Sequence, residues 1–355
     1  MMKALLIGDD YIDAEMMLDG FASWAEKGCE LVTYQWALGG KEQLQAVNLT
    51  LEQKGYDALE IPEEVMDYAG DADILVTQFF PVTSGLITNA PRLKVVGTLR
   101  AGVENICVDL MTERNIMVIN NTGRNAQAVS DFTIGMMLAE ARNIGRSHAA
   151  MKAGYWRKEY INTPFCPDLE GSTVGIIGFG MVGQLVAKKL TGFDVEVIAY
   201  DAYPDEEAAM KYGVAFVDLE TLLKRSDFVC MNCRLVPETY HMLGAREFSL
   251  MKPTAFLINT ARSGLINEDA MWEALYRKRI GGAALDVFDV EPPGIDHRLV
   301  TLDNVTLTPH QAGTTVHAMG RSALRLCQHM SALFEGKAPK TWVNRGKVEL
   351  RTLSV

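Results

Sequence analysis

The chain has 355 residues, 48% of them hydrophobic and 22% charged. That is ordinary globular usage, at a length where one core normally divides into two domains. Its net charge of -11 repels phosphate backbones and anionic lipid, which argues against nucleic acid and membrane surfaces as partners. No apolar run approaches the roughly 20 residues of a spanning helix, and the six cysteines lack a disulfide-framework spacing, so a cytoplasmic location is expected. The first residues, Met-Met-Lys-Ala-Leu-Leu-Ile-Gly, read as a buried strand and not as a signal peptide.

In chain order, short apolar runs predict buried strands at Lys3–Gly8, Leu31–Trp36, Ile74–Thr77, Lys94–Thr98, Met117–Asn120 and Thr173–Ile177. Further strands are predicted at Glu196–Tyr200, Phe228–Met231, Ala255–Asn259, Gly282–Asp286 and Val305–Leu307, with helices between them. This alternation predicts an α/β protein with doubly wound parallel sheets. Two polar stretches, Asn120–Asn125 and Thr308–Gly313, each precede a helical run, the first from Ala126 to about Met151 and the second from about Val316 to Glu335. Read as crossings, they predict a domain of residues 124–310 inserted into a discontinuous domain of residues 1–123 and 311–355. A ligand cleft is expected between the two.

Within the inserted segment, Thr173–Ile177 runs into Gly178-Phe179-Gly180-Met181-Val182-Gly183 and then a helical run. The first glycine permits a tight turn, the second lets the backbone approach a pyrophosphate, and the third lets helix pack on strand. The helix N-terminus offers free N–H groups to the phosphates. Asp201 ends the next predicted strand, about 20 residues past the glycines, where a carboxylate hydrogen-bonds the ribose hydroxyls. It would repel a 2′-phosphate, so NAD is expected over NADP. An ordinary strand–turn–helix could carry the same glycines, and the strand ending in Asp201 is what tells against it.

Three later segments place polar residues just past predicted strands, the edge at which parallel sheets bind ligands. Arg262 follows the first, Asp286 and Glu291 the second, and His310 the third. Hydride transfer at C2 of a 2-keto or 2-hydroxy acid needs a cation to hold the carboxylate and polarise the C2 oxygen, a task for arginine's fork. It needs a proton donor, which suits histidine, and a carboxylate to orient that imidazole and favour its charged form. Arg262, His310 and Glu291 are assigned these roles. Singly, each has a plain alternative as a surface ion-pair partner, a loop residue or a turn; in order and beside a nucleotide motif they form a set.

These motifs resemble the D-isomer-specific 2-hydroxyacid dehydrogenase family over most of the chain, from about Leu93 to Asn344. The resemblance implies an NAD-dependent enzyme acting on a small D-2-hydroxy or 2-keto acid, built from two Rossmann-like or flavodoxin-like domains. It places the family's arginine, glutamate and histidine on Arg262, Glu291 and His310, and its carboxamide-holding aspartate on Asp286. Thr260 and Ala261 fall on the cofactor side, with Phe179, Met181 and Val182 of the glycine loop. Ala101-Gly102-Val103 matches the loop whose N–H groups hold the substrate carboxylate. A homodimer is implied, formed around Ala126–Trp156.

The chain departs from the family in places that bear on substrate. The loop Gln78-Phe79-Phe80-Pro81 has no basic residue for a phosphate, which tells against D-3-phosphoglycerate by that route. Arginines stand instead at Arg100, Arg124 and Arg234, the last where proline is usual. Arg234, with Arg100 or Arg124, is expected to bind a second anionic or polyhydroxy end of the substrate, with salt bridging as the alternative role. Gln311 replaces a usual aliphatic residue and Ser263 a usual glycine. Cys230 and Cys233 lie three apart on a strand and so point to opposite faces, which reads as core and not as a metal site. None of the other five histidines clusters with metal-ligand spacing. Formate dehydrogenase shares the architecture but pairs its histidine with glutamine, unlike Glu291. An NAD-sensing corepressor on this fold would need extra docking sequence, and only a short tail follows Asn344.

Overall fold

The computed structural model describes residues 1–354. They form two compact units, one of Met1–Arg124 with the segment beginning at Thr315, the other of Asn125–Thr314.

The first unit is built on β1 (Lys3–Gly8), β2 (Glu30–Gln35), β3 (Ile74–Thr77), β4 (Val95–Thr98) and β5 (Met117–Ile119), all parallel in the order β2-β1-β3-β4-β5. Every residue of β3, β4 and β5 is buried, and for that reason these strands read as continuous apolar runs and not as alternation. One face packs on Phe21 and Trp24 of the helix Ala14–Glu26 and on Leu326 and Met330 of the helix Ser322–Met330. The other face packs on Leu44, Val65 and Leu86. The order reverses between β1 and β3, a topological switch point.

The second unit contains β6 (Thr173–Ile177), β7 (Glu196–Tyr200), β8 (Ala215–Phe216), β9 (Phe228–Met231), β10 (Phe256–Asn259), β11 (Gly282–Leu285) and β12 (Val305–Leu307). These seven are also parallel, in the order β12-β11-β10-β9-β6-β7-β8. Its switch point lies between β6 and β9, so the glycine loop after β6 sits where doubly wound sheets hold dinucleotides.

Two predicted helices are broken. The run from Ala126 to about Met151 divides into Ala126–Ala141 and Ile144–Lys152, with Asn143 between them in the left-handed region at φ 56°. Glu140 is buried and needs a cation. It accepts from Arg146 Nη1 at 2.8 Å and Nη2 at 3.0 Å, and from Thr306 Oγ1 at 2.6 Å. Residues 140 and 146 do not face each other on one straight helix, and the break brings them together. The run from Val316 to Glu335 divides into Val316–Gly320, Ser322–Met330 and a 3₁₀ turn at Ser331–Glu335. Near the first break Ser322 Oγ donates to the Ala318 carbonyl at 2.6 Å, and Asn121 Nδ2 donates to the Ser322 carbonyl at 2.9 Å. Such side-chain bonds compete with the helix ladder. Among the described residues no helix is long and apolar enough to cross a membrane.

Candidate active site

Gly178 closes the turn after β6 at φ 95°, and a Cβ there would lie 2.4 Å from the Cys233 nitrogen. At Gly183 a Cβ would lie 2.2 Å from the Gly178 carbonyl oxygen, so helix and loop touch only because the side chain is missing. Gly180 differs. A Cβ there would meet no atom within 4 Å, so the protein's own packing makes no demand for glycine at this position. The open space leaves room for a group to approach the backbone from outside, as a pyrophosphate at the start of the helix Met181–Leu190 would. Phe179 is buried against Phe216 in an edge-on contact, Val182 is half-buried and Met181 is exposed.

Asp201 follows β7 and grips this loop. Its Oδ2 accepts from the Phe179 N–H at 2.7 Å and its Oδ1 from the Tyr203 N–H at 2.8 Å. The carboxylate is thereby fixed at the mouth of the glycine loop, where it can still accept from ribose hydroxyls.

Arg262 stands just past β10 in extended backbone, exposed, with Nη1 donating to the Ala261 carbonyl at 2.7 Å. Its turn is held by a residue that the sequence reading passed over as strand. The buried side chain of Asn259 accepts from the Ala261 N–H at 3.0 Å and donates to the Arg262 carbonyl at 2.9 Å. Thr260, beside it, shares a 2.7 Å hydroxyl contact with Thr133.

His310 and Glu291 meet. Nδ1 of the imidazole lies 2.7 Å from Glu291 Oε2, while Oε1 accepts from the Phe288 N–H at 3.0 Å. Both carboxylate oxygens are therefore engaged, and Nε2 is the ring nitrogen left to a substrate. The His310 backbone is left-handed at φ 48°, and Asp286 secures the loop around it. That carboxylate is fully buried and accepts from Thr308 Oγ1 at 2.6 Å, Gln311 N at 3.0 Å and Ala312 N at 2.8 Å.

The remaining expected residues are distributed between the units. In the first, Ala101, Gly102 and Val103 follow β4, and among the described residues their N–H groups have no protein acceptor. Glu104 packs its carboxylate against Gly102 and pairs with Arg100 at 3.6 Å. Arg100 also donates to Asn48 Oδ1 at 2.7 Å and lies over the Phe79 ring. Arg124 is held within the same unit by Gln78. Arg234 belongs to the second unit and is exposed after β9. Burial pushes the Cys230 thiol up to about 12 and that of Cys233 to about 11, so neither is a ready thiolate. Among the described residues no group of His, Cys, Asp and Glu is arranged to hold a metal.

A parallel sheet with a glycine loop at its switch point and an acidic clamp after the next strand defines a dinucleotide-binding α/β protein. The family model for the D-isomer specific 2-hydroxyacid dehydrogenase, NAD binding domain, matches residues 134–312. The chain is 40% identical over 285 residues to D-3-phosphoglycerate dehydrogenase of Methanocaldococcus jannaschii, covering 79% of this chain but only 53% of that protein, so it spans about half the length of that relative. It is 37% identical over 288 residues to glyoxylate reductase of Thermococcus litoralis, covering 79% of this chain and 86% of that one. The NAD complex of a D-isomer specific 2-hydroxyacid dehydrogenase from Lactobacillus delbrueckii ssp. bulgaricus has the same fold, at a TM-score of 0.76 and 22% identity over 96% of this chain and 100% of that one. The chain belongs to the D-isomer specific 2-hydroxyacid dehydrogenases. It is an NAD-dependent oxidoreductase of that family.

Proposed function

We propose that this enzyme interconverts a small D-2-hydroxy acid and its 2-keto acid, with Arg262, Glu291 and His310 as its catalytic residues. The observation that carries this reading is the 2.7 Å contact between His310 and Glu291 on a loop clamped by Asp286, with Arg262 presented from the edge of the same sheet. NAD, when bound, would supply the hydride donor or acceptor for substrate C2. Arg262 binds the substrate carboxylate and polarises the C2 oxygen through its fork. His310 gives a proton from Nε2 to that oxygen in reduction and takes it back in oxidation. Glu291 orients the ring and balances its charge, and the free N–H groups of Ala101, Gly102 and Val103 bind the carboxylate. Thr260, Ala261 and Asp286 serve the cofactor side. NADH oxidation over a panel of 2-keto acids tests the reading; NADH binding without turnover of any of them would overturn it.

NAD over NADP follows from Asp201. An Asp201→Ala enzyme is expected to lose at least about tenfold of its NADH-over-NADPH preference in kcat/KM, the size of one lost charge-assisted contact. An unchanged ratio would show that the carboxylate does not read the ribose.

Arg234 is assigned to a further anionic or polyhydroxy part of the substrate, as an exposed cation at the C-terminal edge of the second sheet. Arg234→Ala is expected to raise KM about tenfold on the best substrate with little change in kcat. Unchanged kinetics would sink the assignment.

The same reading makes the protein a cytoplasmic homodimer, which its free cysteines suit. Ile144 and Met151 of the second half of the broken helix, with Tyr155 and Trp156 after it, are all more than half exposed, an apolar patch that asks for cover. Sedimentation should give twice the chain mass, and a monomer would refute the pairing.

A further inference from the structure

The first unit buries a set of polar side chains that this chemistry does not use. Its sheet reverses direction between β1 and β3. Asp9 directly follows β1 and Gln78 directly follows β3, so the two flank the point at which open parallel sheets take ligands. Arg124, beyond β5, donates through Nη1 to Gln78 Oε1 at 2.7 Å and to Ser322 Oγ at 3.5 Å. Asp9 and Gln78 are only 2% and 1% exposed. Each nevertheless keeps a buried atom without a well-formed hydrogen bond among the described residues: Asp9 Oδ2, whose sister Oδ1 accepts from Tyr11 N and Ile12 N and whose carboxylate also has the Phe79 N–H nearby, and Gln78 Nε2. The Nε–Nη2 edge of Arg124 likewise has no protein acceptor among the described residues. Buried polar atoms are normally satisfied, and here a donor and an acceptor stay unpaired after two neighbouring strands, β1 and β3, with Arg124 bonded to one of the two side chains.

We infer that Asp9, Gln78 and Arg124 form a subsite for an uncharged, hydroxylated tail of the substrate. The inference rests on the dehydrogenase reading above. A hydroxyl both donates and accepts, and this set offers one acceptor, Asp9 Oδ2, and two donors, Gln78 Nε2 and the Arg124 edge. Charge balance points the same way. Arg124 and Asp9 carry opposite charges and feel one another electrostatically without forming a direct ion pair, while Arg100 is already paired with Glu104 and hydrogen-bonded to Asn48. Burial pushes the Asp9 carboxyl up to about 6, so above that pH the pair carries no net charge and a second anion would face the Asp9 carboxylate. The subsite also shares its sheet edge with the carboxylate loop. Asn120 Nδ2 donates to the Ala101 carbonyl at 2.6 Å, Asn121 N to the Arg100 carbonyl at 2.8 Å, and Leu99 N to the Thr77 carbonyl at 2.8 Å.

The test compares kcat/KM, with NADH, for three four-carbon 2-keto acids: one hydroxylated at C3 and C4, one with a plain alkyl chain, and one ending in a second carboxylate. The wild-type enzyme is expected to prefer the hydroxylated acid by at least about 100-fold over the alkyl one, as a site built to hydrogen-bond a hydroxyl does. In Asp9→Asn and Gln78→Met enzymes that ratio should fall at least about tenfold. Melting temperature and NADH fluorescence titration establish that each variant is folded and still binds cofactor. A wild-type enzyme with no preference, or one preferring the dicarboxylate, overturns the subsite, as do folded variants that keep the ratio. Those outcomes leave the dehydrogenase reading standing. NADH binding with no turnover of any keto acid removes both.

Discussion

A His310→Ala enzyme is expected to lose about 10²–10⁴-fold in kcat, the contribution of a positioned general acid or base, while binding NADH as before. The expectation rests on how completely the ring is prepared before substrate arrives. Its Nδ1 is held by Glu291 at 2.7 Å, Glu291 is itself fixed by the Phe288 N–H, and the surrounding loop is tied down by three bonds to a buried Asp286. Among the described residues none of these hydrogen bonds reaches the glycine loop, and Asp286 keeps its own bonds to the backbone, so removing the imidazole should leave the cofactor affinity intact. Steady-state kcat at saturating NADH, with a fluorescence titration of NADH, checks both halves. Turnover within about tenfold of wild type would mean that water or another group supplies the proton.

An Arg262→Ala enzyme should fail differently. In the proposed role this arginine holds the carboxylate in the ground state and stabilises charge on the C2 oxygen as hydride arrives. KM should therefore rise and kcat fall together, for a loss of about 30- to 4000-fold in kcat/KM, equivalent to the 2–5 kcal/mol of a truncated charge pair. Arg262→Lys should recover little, because an ammonium restores charge but not the planar fork. A variant in which KM alone changed would reduce Arg262 to a binding residue.

Much of the architecture was legible because buried parallel strands leave uninterrupted apolar runs. Lys3–Gly8, Thr173–Ile177, Glu196–Tyr200 and Phe228–Met231 begin and end where the runs do. β8 is two residues at a sheet edge, Ala215–Phe216, with one side chain exposed and the other half-buried, too short to leave a pattern. The helix break at Asn143 was hidden for another reason. Ala126–Met151 carries many helix formers, and the only local sign is faint: Asn143, a residue type that tolerates the left-handed region, stands at the break beside the tertiary pairing of buried Glu140 with Arg146. The glycine loop and the His310, Glu291 and Arg262 segments could be read from residue type and order. Asn259 and the loop-tying bonds of Asp286 could not, since their work consists of hydrogen bonds to backbone that has no side-chain signature.

The bond from the Phe179 N–H to Asp201 also bears on how this enzyme could change over time. On the reading proposed above, the residue that would read the ribose is also the one that staples the glycine loop. A mutation that welcomed a 2′-phosphate by removing the carboxylate would simultaneously loosen the turn that cradles the pyrophosphate. A lineage drifting toward the other coenzyme would thus cross a form poor with both, unless a second change had already re-anchored Phe179. If Asp201 has that role, coenzyme choice would be inherited as a linked pair of positions and not as a single site open to stepwise selection.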